Sequence, residues 1–227
     1  MRRPLVTAID NAIPTQVIAA LRAQILASSR RPATGDGTYW YSLAARPRGL
    51  FEQVIQHLRS HVPDAHELVG AEWWFRATAT DTNFPFHFDR DEGIRSSIVS
   101  PAVATILYLS SAGGPTVIVD ATPVRRSAPT AAIAVHPRPG RFGMFSGALL
   151  HGVVPTAPSR WPRVTMLVNW WRSVPRMEAA KPLASAPLRW PGARVTASSA
   201  PVEVIDPARL LAKAAWRELI ATQASYR

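Results

Sequence analysis

A chain of 227 residues with 47% hydrophobic content and a mean hydropathy near zero reads as a soluble globular protein with room for one domain and a sizeable core. The absence of cysteine excludes disulfides, thiolate nucleophiles and thiolate metal sites, so any metal must be held by His, Asp or Glu. The formal charge of +11 points to nucleic acid or an acidic partner, but all cations other than Lys181 and Lys213 are arginines scattered along the chain. The charge is therefore read as a solvated basic surface that favours an acidic or carboxylate-bearing substrate, and nucleic acid is not an expected partner.

Asp10 cuts short the apolar stretch that follows Arg2 and Arg3, which argues against a secretory signal and for a cytoplasmic protein. A helix is expected over 13–28, where Ile18, Leu21 and Ile25 recur at helical spacing behind Pro14. Residues 31–39 read as a loop, and Trp40 and Tyr41 beside it are candidates either for the core or for the cap of a substrate pocket. A second helix runs from about Leu50 to His61 on a stripe of Phe51, Val54, Ile55 and Leu58. His57 and His61 stand four apart on it but lack the glutamate of a zinc-protease motif, so they are read as solvated histidines.

From 71 to 80 the chain alternates strictly, with Ala71, Trp73, Phe75 and Ala77 on one face and Glu72, Trp74, Arg76 and Thr78 on the other. This strand leads to Phe86-His87-Phe88-Asp89, where alternation puts His87 and Asp89 on one face and Phe84, Phe86 and Phe88 on the reverse. The charged segment 90–95 reads as a mobile connection. The uncharged run 96–119 is broken by Pro101, Gly113, Gly114 and Pro115, so it is two buried strands and a turn, with no membrane span expected. Strands are expected at 102–110, 115–120, 130–136, 140–146, 150–154 and 163–171, and strands without intervening helices mean a sandwich or barrel. Residues 174–206 are rich in proline and read as an irregular strap. Asp206-Pro207 then opens a helix striped by Ala208, Leu211, Ala212, Ala215, Trp216 and Leu219, which docks on the barrel or joins a homodimer.

Two histidines and a carboxylate on one face of an octahedral ion are the ligand set of non-haem Fe(II) oxygenases. His87 and Asp89 supply two such groups at adjacent sites, and His151 is the candidate third.

The ordered patches Leu5–Asn11, His87-Phe88-Asp89, Thr105–Ser110, Gly113–Val117, Gly140–Phe145, Leu150–Pro155 and Arg163–Trp170 resemble the Fe(II)/2-oxoglutarate-dependent dioxygenases, in their prolyl-4-hydroxylase-like branch. The resemblance implies a mainly β (α+β) architecture: a double-stranded β-helix, or jelly-roll, core at 71–172, helical support at 1–70, and a strap and C-terminal helix at 173–227, together one oxygenase domain. It implies Fe(II) on His87, Asp89 and His151, with 2-oxoglutarate and O2 as cosubstrates and succinate and CO2 as products. Arg163, opening the last strand, is expected to meet the distal carboxylate of 2-oxoglutarate through a bidentate guanidinium. Thr165 on the same face adds a hydroxyl, and Tyr108 a phenol. Arg160, nearer His151, precedes Trp161-Pro162, where a regular strand is disfavoured.

The expected reaction is hydroxylation of an unactivated C–H bond, or a desaturation or cyclisation variant, on an amino-acid, peptide or natural-product substrate. Trp40, Tyr41, Trp73 and Arg76 are the substrate candidates. Two other readings stand beside it: a cupin-like metal protein, distinguished by Arg163, and a basic nucleic-acid-binding or demethylating protein, whose paired arginines after the final histidine are not matched by the spacing of Arg163 and Arg172.

Overall fold

The computed structural model describes residues 4–29, 37–125, 127–176, 179–180, 188, 190, 196–211, 217–218 and 221–222. In chain order it contains β1 (Val6–Asp10), α1 (Thr15–Ser28), β2 (Tyr39–Ser42), α2 (Leu50–Leu58), β3 (Gly70–Thr78), β4 (Phe84–His87), β5 (Val103–Tyr108) and β6 (Thr116–Val119). Then follow β7 (Ala132–Val135), β8 (Phe142–Ser146), β9 (Leu150–Val153), β10 (Arg163–Trp171), β11 (Ser198–Ser199) and β12 (Glu203–Ile205). The strands form a seven-stranded sheet in the order β11-β1-β8-β5-β10-β3-β2 and a five-stranded sheet in the order β12-β7-β6-β9-β4. Every pairing is antiparallel. This is the expected mainly β jelly roll.

The two-residue period of strands sorts the sheets' faces. On β10 the even residues Val164, Met166, Val168 and Trp170 join a core with Val17, Leu21 and Ile25 of α1 and Val54, Ile55 and Leu58 of α2. The odd residues Arg163, Thr165, Leu167 and Asn169 face the other way, into the space between the sheets. Its neighbour β3 divides likewise: Ala71, Trp73 and Phe75 lie on the helices, while Glu72, Trp74 and Arg76 face inward. A second cluster, including Ala104, Ile106, Tyr108, Ile118 and Val135, holds the sheets together. The outer face of the smaller sheet is packed by Val117, Val119, Ala132, Ala134 and Leu150.

Pro14, in extended conformation, precedes α1 as its N-cap residue, and the amphipathic stripe of α2 is fully buried at Val54, Ile55 and Leu58. Two elements depart from expectation. The proline-rich strap contributes β11 and β12, one edge strand for each sheet, too short to show alternation in the sequence. Asp206 does cap a turn, its carboxylate accepting from the Ala208 N–H at 3.0 Å, but that turn is a 3-10 helix over Pro207–Arg209. Most of the expected helix beyond it, with its proposed dimer contact, lies outside the described residues. Among those residues no helix is long and apolar enough to cross a membrane.

One buried ion pair ties the first strand to the barrel. Asp10, at the end of β1, accepts from Arg141 Nε at 2.7 Å and Nη2 at 3.0 Å, and from Arg138 Nη1 at 2.9 Å. Hydrogen bonding from Arg141 leads the causes that hold its pKa below the ordinary 3.8. Asp10 therefore contributes stability in full above that value and loses it as pH falls through the lower folded-state value. Asp10→Ala strands the buried Arg141 guanidinium and is expected to cost about 3 to 5 kcal/mol of unfolding free energy. Urea denaturation at neutral pH measures it, and a loss under about 1 kcal/mol, the range of an exposed pair, contradicts this account.

Candidate metal centre

His87 ends β4 and His151 lies on the neighbouring β9, with the two residues directly opposite in register. Asp89 stands two residues beyond His87, past the end of the strand. Its carboxylate oxygens lie 3.7 Å from His87 Nε2 and 3.5 Å from His151 Nε2, and the ligand atoms of the three residues are all within 4.8 Å of one another. The far nitrogens are both engaged: His87 Nδ1 meets Pro85 O at 2.9 Å and His151 Nδ1 meets Leu149 O at 3.0 Å. A carbonyl only accepts, so each Nδ1 carries a hydrogen, and in the neutral form of a ring the lone pair of Nε2 faces Asp89. Burial pushes His151 below the ordinary imidazole pKa, against the pull of Asp89, which favours this neutral form.

Three ligand atoms thus face one point, an arrangement that a cation placed there would satisfy. Ligand atoms around an octahedral ion at about 2.1 Å stand about 3 Å apart, so a small inward movement suffices. The donor set fits Fe(II), and all three residues that the sequence nominated are brought together. One local expectation needs correction. The β4–β9 pairing shifts register between Phe84 and His87, so Phe84 lines the same cavity as His87, and Phe88 lines it too while packing on the outer cluster. Phe86 alone of the three keeps wholly to the reverse face.

That cavity, about 280 Å³, is floored by the inward residues of β3 and β10. At one end stands Arg163, only 4% exposed. Its Nη2 donates to Thr116 Oγ1 at 2.9 Å and its Nη1 contacts Thr165 Oγ1 at 3.4 Å, while Nε has no partner. No carboxylate pairs with it among the described residues, and desolvation lowers its pKa. A buried guanidinium without a counter-charge is costly, and the cost is relieved by an anionic ligand entering the cavity. Gly113, at φ +88°, lets the chain pass the Arg163 stem, where a Cβ would fall 2.7 Å from Cδ. Arg160, by contrast, is exposed and lies over the Trp161 ring at 4.9 Å.

The position of Tyr108 corrects its expected role. The residue is fully buried and does not line the cavity. Its hydroxyl meets Thr116 Oγ1 at 2.8 Å and Val135 O at 2.9 Å. Donor counting gives one order: Arg163 to Thr116, Thr116 to Tyr108, and Tyr108 to the carbonyl of Val135. Tyr108 therefore positions Arg163 through Thr116, a residue to which the sequence reading gave no role.

Of the substrate candidates, Arg76 lines the cavity and three do not. Tyr41 is buried with its hydroxyl on Ala45 O at 2.8 Å. Trp40 packs against Gly70. Trp73 stacks between Tyr39 and Phe51, on the helix side of the sheet. Its neighbour Trp74 is the one in the cavity, as the two-residue period from Arg76 required. The segment after Asp89 is pinned in place, for Asp91 accepts from the backbone N–H groups of Gly93 and Arg176 at 3.0 and 2.7 Å. His57 contacts Ala12 O at 3.1 Å and belongs to no metal-binding cluster among the described residues. Arg172, the potential second arginine of a demethylase pair, is held by Glu67 at 2.7 Å.

Facing Asn169 across the β3–β10 pairing is Glu72, 8% exposed and lining the cavity. Its Oε2 accepts from Trp171 Nε1 at 3.0 Å and Asn169 Nδ2 at 3.5 Å. Burial raises its pKa to about 7, with Asp89 and Asp91 adding to the rise.

No protein-family profile matches the sequence, and no curated protein does. Solved structures do match in shape, and the class they define is the jelly-roll fold of the 2-oxoglutarate oxygenases. A prolyl-4-hydroxylase from Pseudomonas putida aligns over 74% of this chain and 88% of its own, with a TM-score of 0.51 and 18% identity. HygX from Streptomyces hygroscopicus, solved with iron bound, aligns over 74% and 82% at 15% identity and a TM-score of 0.47. The carbocyclase SnoK from nogalamycin biosynthesis aligns over 74% and 79% at 13% identity and a TM-score of 0.48. At these identities the likeness is one of fold.

The raised pKa of Glu72 has a stability consequence. Above the ordinary 4.5 the unfolded chain ionises this group while the folded chain keeps its proton to about 7. Stability of the metal-free protein therefore falls across that window, and Glu72→Gln removes a cost that levels off at about 3 kcal/mol. Urea denaturation at about pH 5 and about pH 8 is expected to show the variant gaining on the wild type as pH rises. Parallel pH dependences in the two proteins contradict it.

Proposed function

We propose that this chain is an Fe(II)- and 2-oxoglutarate-dependent dioxygenase that hydroxylates a C–H bond of an amino-acid, peptide or natural-product substrate, releasing succinate and CO2. The observation that carries the reading is Arg163, a buried guanidinium without a carboxylate partner among the described residues, in the same cavity as His87, Asp89 and His151. A metal-binding barrel of the cupin type needs the histidines and the carboxylate but has no use for that cation.

His87, Asp89 and His151 would hold the iron, leaving one triangular face for cosubstrate and O2. Iron with 2-oxoglutarate supplies the oxidising chemistry when bound. The protein's share is positional. Arg163 offers two parallel N–H groups to the distal carboxylate, Thr116 and Tyr108 keep the guanidinium aimed, and Thr165 lines the same wall. Phe84, Phe88, Ile106 and Leu167 supply apolar surface around the metal-ligating groups, which limits water at the reacting position.

Anaerobic addition of Fe(II) and 2-oxoglutarate is expected to produce the weak visible charge-transfer band of the chelate. His151→Ala should lose both iron and band. Arg163→Ala should keep iron and weaken 2-oxoglutarate binding by about tenfold or more, the worth of a charge-assisted hydrogen bond. A metal-loaded wild type without the band, or an Arg163→Ala protein with unchanged 2-oxoglutarate affinity, contradicts the proposal.

A further inference from the structure

The cavity has two polar ends. Along β10 its floor runs from Arg163 through Thr165 and Leu167 to Asn169, roughly 20 Å at the rise of a β-strand. The guanidinium end suits the cosubstrate. At the other end stand Glu72 and Asn169, directly opposite each other on β3 and β10, with Trp74 next on the inward face of β3.

We infer that this far end seats an ammonium or guanidinium group carried by the substrate, with Glu72 as its counter-ion. The inference rests on the oxygenase reading and names the substrate class for it. Glu72 is more than nine-tenths buried, yet among the described residues no cation pairs with it. Its hydrogen bonds from Trp171 and Asn169 both fall on Oε2, and the residue lines the cavity. The carboxylates nearest in electrostatic effect, Asp89 and Asp91, are of the same sign. Asp89 would be neutralised by the metal, and Asp91 is held by backbone N–H groups and does not line the cavity, so of the three Glu72 is the carboxylate left for a cation in the cavity.

A positively charged group placed there gains an ion pair shielded from water, beside the indole of Trp74. A cation placed there also favours the ionised form of Glu72, whereas a carboxylate placed there meets like charge once Glu72 ionises. The basic surface favours acidic partners, but the cavity's substrate end carries the opposite preference. Arg90, which also lines the cavity, is paired with Glu92 at 3.0 Å and does not offset Glu72.

The test uses matched probes: L-lysine against Nε-acetyl-L-lysine, L-arginine against L-citrulline, and agmatine against its urea analogue. Each is scored for stimulated succinate release and for perturbation of the iron–2-oxoglutarate band. The wild type is expected to prefer the charged member of at least one pair by about tenfold or more, the worth of a hydrogen bond between charged groups. In Glu72→Gln, which keeps the acceptor for Trp171, the preference should fall to within about twofold while the band still forms. Absence of preference for the charged member in every pair overturns the inference, as does a preference that survives Glu72→Gln. A wild type that never forms the band is a different result, since it removes the oxygenase reading itself.

Discussion

The structure depends on the cost of burying Arg163. A guanidinium at 4% exposure with a free Nε, two threonine hydroxyls and the Tyr108 ring at 5.4 Å as its neighbours is an arrangement that stability alone disfavours, because desolvating a charge costs several kcal/mol that neutral partners do not return. Its surroundings preserve the arrangement. Gly113 adopts a positive φ to pass its stem, and a relay through Thr116 and Tyr108 orients its head. On the proposed reading, that lost stability holds a cation ready for an anion.

The jelly roll makes this possible by the simplest property of a strand. β10 runs through the middle of the larger sheet between β5 and β3, so alternate residues belong to two different environments. Even positions are packed under the helices, and odd positions line the cavity. The smaller sheet brings His87 and His151 opposite each other on neighbouring strands. Residues far apart in sequence therefore meet with no helix or long loop needed to carry them.

Much of this was legible from the residues. The succession of short strands, the two supporting helices and the facing of Arg163 with Thr165 follow from hydrophobic period and turn residues, and the histidine–carboxylate set follows from ligand chemistry. What escaped has physical causes. The register shift in β4 breaks the alternation that placed Phe84 on the reverse face. Tyr108 was read as a contact residue, because a phenol in the right strand carries no mark of whether its hydroxyl faces ligand or backbone. Arg76 fixes the inward parity on β3, and that parity selects Trp74 over Trp73 for the cavity. β11 and β12 are too short for any period to register.

The central claim is that Arg163 waits for the distal carboxylate of a 2-oxo diacid. Comparing the binding of 2-oxoglutarate and 2-oxobutanoate to the metal-loaded protein isolates that carboxylate, since both ligands offer the same chelating end. We expect 2-oxoglutarate to bind about tenfold more tightly or better, with the advantage abolished in Arg163→Ala. Equal affinities in the wild type, or an advantage that outlives the guanidinium, contradict the account.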